Sequence, residues 1–198
     1  KLGVQRPVIV GHSWAGSVVM AAAVKHAPQI SGGVLLGGAT GHWAGSVGAT
    51  YDWGKRPLIG KVMAYGLVYP YGRKVLPEAV ASVLAPNPVP EAYIDSTGAA
   101  LALRPETFQH NIEDMTRLSE YLQVLSREYD ELRVPLLAIH GDEDVLVPFW
   151  NHGQRLAWAY PALQIRLLPG VGHVPHHAQP VAVAAEISAF ATRLGEAR

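Results

Sequence analysis

The chain contains no cysteine. That excludes disulfides, a thiol nucleophile and thiolate metal sites. It leaves the compartment open, because cytosolic and secreted proteins alike can lack the residue. Charge is also sparse. Charged residues make up 16% of the 198, and Lys+Arg and Asp+Glu each number 16, so the formal net charge is zero. Binding to nucleic acid or to an anionic membrane surface ordinarily shows as a basic excess, and neither partner is expected here. No run of about 18 uninterrupted apolar residues is present, so no span is expected to cross a bilayer. No signal peptide is visible, and a cytoplasmic location is the expectation that remains. Internal repeats and low-complexity tracts are missing. So are the glycine patterns G-x-G-x-x-G and G-x-x-x-x-G-K-[ST] after a strand, which argues against a doubly wound nucleotide binder. What the chain does have is apolar residues, 49% of the total. That is the composition of one folded domain with a sizeable core.

The apolar residues fall into short blocks. Pro7 to Val10 reads as a buried strand ending at Gly11. Ala15 to Ala27 is rich in Ala and Val and meets no breaker before Pro28, which suits a helix packed on that strand. Val34 to Leu36 and Leu136 to Ile139 read as further buried strands. Leu163 to Leu168 alternates apolar and polar residues, as a strand near a sheet edge does. A last helix starts near Pro180 and repeats Val183, Ile187, Phe190 and Leu194 at helical spacing. Strands alternating with helices predict an α/β fold: a mostly parallel sheet flanked by helices. Residues 41–104 interrupt the alternation. They carry Trp43, Tyr51, Trp53, Tyr65, Tyr69 and Tyr71, and so long a loop would not stay structureless. A small helical subdomain is expected there, inserted into a core formed by residues 1–40 and 105–198. Phe108, Ile112, Met115, Leu118, Leu122, Leu125 and Tyr129 predict one long helix, or two broken ones, leading back to the sheet.

The sharpest chemical signal is Gly11-His12-Ser13-Trp14-Ala15-Gly16, set between a strand and a helix. A serine on so tight a turn has its hydroxyl pushed into the cleft above the sheet, and the helix N-terminus behind it favours negative charge. By itself the segment also fits a serine that merely caps a helix. A hydroxyl nucleophile needs a base, and the base needs an orienting acid. Candidates stand after two later strands, in His140-Gly141-Asp142-Glu143-Asp144 and in Pro169-Gly170-Val171-Gly172-His173.

These segments resemble the α/β-hydrolase family. Residues 11–16 are similar to its nucleophile elbow, G-x-S-x-G, with Ala15 in place of the last glycine and Gly16 one step on. The two later segments resemble its G-x-x-D and G-H signatures, in the family's order of Ser, Asp and His. The resemblance implies Ser13 as nucleophile, Asp144 as the acid in preference to Asp142 and Glu143, and His173 as the base. It implies the Trp14 N–H as an oxyanion donor and the insert as the family's helical cap. His12, Val145 and Val174 are the expected substrate-binding residues. His140 is expected to be a core histidine, and His176 and His177 surface residues. The family explains His173 without a metal, and neither a metal nor a cofactor is expected. The implied function is hydrolysis of a carboxylic ester or related acyl bond of a small molecule through an acyl-enzyme. The alternatives are a C–C bond hydrolase or perhydrolase of the same fold, or a non-catalytic binding module. A protonated imidazole cannot act as a base, so activity is expected to fall on acidification.

In the family the elbow follows the fifth of eight strands, and the segment before it carries a second oxyanion donor. Here the elbow begins at residue 11 and the first residue is Lys1. The expectation is therefore an N-terminally truncated fragment, the C-terminal half of the fold, nearly inactive alone and with an unpaired strand edge at Pro7–Val10.

Overall fold

The computed structural model describes residues 3–196; residues 1–2 and 197–198, the ends of the expected core, lie outside them. Strand β1 (Val8–His12) leads through a tight turn into helix α1 (Ala15–Lys25), and β2 (Gly32–Leu36) follows. Four helices then fill the insert: α2 (Ala49–Gly54), α3 (Pro57–Val62), α4 (Val68–Leu84) and α5 (Tyr93–Thr97). The long helix α6 (Pro105–Leu125) is unbroken. It begins on a proline, whose missing N–H costs nothing in the first turn, and runs into a 3₁₀ segment, Ser126–Glu131, that carries Tyr129. The chain ends with β3 (Leu136–Gly141), α7 (Gly153–Ala159), β4 (Gln164–Leu168), α8 (Pro175–Ala178) and α9 (Pro180–Glu196).

The four strands form one parallel sheet in the order β1-β2-β3-β4. Neighbouring side chains along each strand point to opposite faces, and the two faces bury different partners. Ile9, Leu35, Leu136 and Ala138 pack with Val19 and Met20 of α1, Leu118 and Leu122 of α6, and Leu156 of α7. Val8, Val34, Leu36, Leu137 and Ile139 pack with Val183 and Phe190 of α9. The expected α/β layering is therefore observed, with helices on both faces. β1 and β4 are the sheet edges. Val10 on β1 is 48% exposed. β4 is exposed along most of its length, with Arg166 bridging to Glu186 at 2.8 Å. No described helix is long and apolar enough to cross a membrane.

In a parallel sheet all the C-terminal strand ends lie along one edge. The turn after β1, the loop after β3 and the loop after β4 are therefore brought together there by topology alone.

Candidate active site

Ser13 occupies the left-handed region, with φ of 54°. A non-glycine residue there is strained by about 1 kcal/mol or more and must be held from outside. It is. The Ser13 N–H donates to the Leu36 carbonyl at 3.1 Å, and the Ser13 carbonyl accepts from the N–H of Gly16 and of Ala39, both at 2.9 Å. The close approach also explains the displaced glycine of the elbow. A methyl group on Gly16 would come within 2.6 Å of the Gly38 Cα, and one on Gly11 would strike the Ala15 carbonyl. Position 16, not 15, is where α1 touches the turn after β2, so alanine is accommodated at 15.

The three expected residues meet in series. His173 Nε2 lies 2.8 Å from Ser13 Oγ, and His173 Nδ1 lies 2.8 Å from Asp144 Oδ2. A carboxylate can only accept, so Nδ1 carries the proton, and the Ser13 hydroxyl donates to Nε2. Asp144 Oδ1 accepts from the N–H groups of Leu146 at 3.0 Å and Val147 at 2.8 Å. Burial pushes the Asp144 carboxyl up. The bonds from His140, His173 and the Val147 N–H outweigh it and hold the group below the ordinary carboxylate range. Asp144 therefore stays ionised beside the base.

The other candidates sort by contact. Asp142 accepts the Gly170 N–H at 2.8 Å and so ties the acid loop to the base loop, while Glu143 is exposed. The Trp14 N–H, which follows the nucleophile, donates to no acceptor among the described residues and is open to a ligand. Val174 is buried with Val80 and Leu84 of α4, whereas Val145 is 79% exposed. The Nε2–H of His12 donates to the His173 carbonyl at 2.9 Å. His140 is a core histidine as expected, with its Nε2 at 2.7 Å from the Val147 carbonyl and 3.3 Å from Asp144 Oδ2. His176 and His177 correct the expectation of surface residues. Both are half-buried: the His176 ring lies 4.7 Å from His12, and His177 lies 4.9 Å from Tyr93. The short helix α8 turns them inward under the insert.

Two supporting residues carry no motif. His152 Nδ1 accepts from the N–H groups of Thr40 at 3.2 Å and Gly41 at 3.0 Å, which pins the exit of β2. Asn87, in the insert, donates to the Gly170 carbonyl and accepts from the Gly172 N–H, both at 2.9 Å. It fastens the insert to the loop of the base. The proline-flanked position of Asn87 was the sole sequence cue, and His152 had none.

The family model described as the alpha/beta hydrolase family matches residues 1–186, nearly the whole chain. This chain belongs to the alpha/beta hydrolase family. Among curated relatives of this chain, 2-hydroxymuconate semialdehyde hydrolase from Pseudomonas putida is 23% identical over 172 residues, covering 87% of this chain and 57% of the relative. The chain thus spans somewhat more than half the length of that relative. A bromoperoxidase from Bacillus anthracis superposes with a TM-score of 0.72 at 19% identity, covering 96% of this chain and 68% of its own. An esterase from Rhodococcus sp. ECU1013 gives 0.59 at 21% identity, covering 97% and 67%. At such identities the two structures establish the fold of the chain and nothing finer.

Proposed function

We propose that this hydrolase cleaves a carboxylic ester or related acyl bond of a small molecule through an acyl-enzyme on Ser13. The observation that carries the reading is the pair of 2.8 Å contacts linking Ser13, His173 and Asp144 in series. His173 takes the hydroxyl proton as Ser13 Oγ attacks the acyl carbon. Asp144 holds the imidazole in the required tautomer and stabilises the imidazolium. The Trp14 N–H, at the start of α1, faces the oxyanion of the tetrahedral intermediate. His173 then returns the proton to the leaving group, and the same base activates water to release the acid. The helical insert is the cap over this cleft, with Val174 and Val145 at its rim as candidate acyl contacts.

A fluorophosphonate probe tests the nucleophile. It should label the wild-type chain at Ser13, and Ser13→Ala should abolish labelling. Persistent labelling in that variant would remove Ser13 from the reaction. A second reading, cleavage of an activated C–C bond with the same triad, is favoured by the semialdehyde hydrolases among the relatives. A panel of p-nitrophenyl esters set against a vinylogous diketone separates the two, because an ester hydrolase turns over only the first set.

A further inference from the structure

His12 precedes the nucleophile by one residue, yet its side chain is turned toward the base. Its ring lies 4.8 Å from the ring of His173 and 4.7 Å from that of His176. Its Nε2–H donates to the main-chain carbonyl of His173 at 2.9 Å, across 161 residues of sequence. A carbonyl only accepts, so the proton sits on Nε2. Burial lowers the His12 pKa to about 4, which keeps the ring a neutral donor near neutral pH. His12 is therefore joined to Ser13 by a peptide bond and to the backbone of His173 by a hydrogen bond.

We propose that His12 is a positioning residue that sets the spacing between Ser13 Oγ and His173 Nε2. The bond from Nδ1 to Asp144 anchors one end of the imidazole, but the ring can still swing about that contact. The loop that carries the base is held at Gly170 and Gly172 by Asp142 and Asn87, but neither of those bonds reaches the main chain of His173 itself. The bond from His12 fixes the main chain of that loop against the turn of the nucleophile, and the His176 ring packs against His12 edge-on. The swing is thereby removed. The inference rests on the serine hydrolase reading and explains why the elbow position before the serine is filled by a half-buried histidine.

The test compares His12→Gln, His12→Asn and His12→Leu in fluorophosphonate labelling rate, in kcat and KM on a soluble p-nitrophenyl ester, and in melting temperature. The glutamine amide presents an N–H where Nε2 stands, the asparagine amide stops one bond short, and leucine has no donor. A misplacement of about 1 Å costs up to about 100-fold in rate, so Asn and Leu should label at least about tenfold more slowly than wild type. Their kcat should fall while KM stays within about twofold, and Gln should recover to within about threefold of wild type. Gln and Asn differ by one methylene, so their ratio remains decisive even where Leu fails to fold. Labelling of Asn within twofold of wild type, or Gln no faster than Asn, overturns the proposal. Failure of the wild-type chain to label at Ser13 overturns the hydrolase reading instead.

Discussion

Ser13 combines two properties that pull against each other. In the proposed reaction its hydroxyl is the nucleophile, but its backbone sits at φ of 54°, a region that a residue with a Cβ enters only under constraint. The two can be separated by substitution. Ser13→Gly removes the hydroxyl and relieves the strain, so it should abolish probe labelling and raise stability by about 1 kcal/mol. Ser13→Ala should abolish labelling and leave stability near wild type, because the Cβ remains. Urea melts of the pair decide it, and a glycine variant less stable than the alanine variant would mean that the turn carries no strain. Asp144 poses a related case. An amide at this position presents an N–H to a nitrogen that already carries a proton and forces the imidazole into the wrong tautomer. Asp144→Asn should lower kcat by about 10⁴-fold, as in comparable triads, with KM little changed. An effect below tenfold would show that His173 is oriented by other contacts.

At the scale of elements, the fit between α1 and the turn after β2 decides whether the elbow can form. Gly16 lies against Gly38 with no space for a methyl group. The glycine expected from the family at position 15 is not needed there. Gly16→Ala should therefore destabilise the chain by about 1–3 kcal/mol, the usual cost of overpacking. Ala15→Gly, which restores the G-x-S-x-G spelling, should cost no more than about 1 kcal/mol through lost helix propensity. Thermal melts of the two would rank them, and the reverse order would place the contact at residue 15. The same contrast shows what was legible in the sequence. Strands were readable as short, continuous apolar runs such as Val34-Leu35-Leu36, the pattern of a strand buried on both faces. The convergence of Ser13, Asp144 and His173 was readable because each stands in the turn or loop that follows a strand, where a parallel sheet gathers its loops. Inter-element contacts were not readable. His152, Asn87 and the inward-facing His176 matter because of what folds against them from more than 80 residues away, and no local period encodes that.

At the scale of the whole molecule, burial in part or in full holds several histidines neutral. Burial lowers the pKa of His12, His152 and His176 to about 4 in each case. An unfolded chain protonates its histidines near about 6.5. Between those two values the unfolded state holds more protons than the native state, so stability is present above about 6.5 and is lost as pH falls toward 4. Asp144 adds to the same slope at lower pH. Its carboxyl is held below the ordinary range in the native state, so the unfolded state takes up that proton first. Nothing opposes the trend from the acid side among these groups, and the melting temperature should decline steadily from pH 7 to pH 4. His152 offers the cleanest check because it is 3% exposed. Its full titration is worth about 1.4 kcal/mol per pH unit across the window. His152→Asn keeps an acceptor near the Thr40 and Gly41 N–H groups and removes the titration. The variant should lose about a third of the slope between pH 6.5 and 4 while matching the wild type within about 1 kcal/mol near pH 5. An unchanged slope would mean that His152 takes up its proton in the folded chain, and the two backbone donors that face its Nδ1 would have to move away.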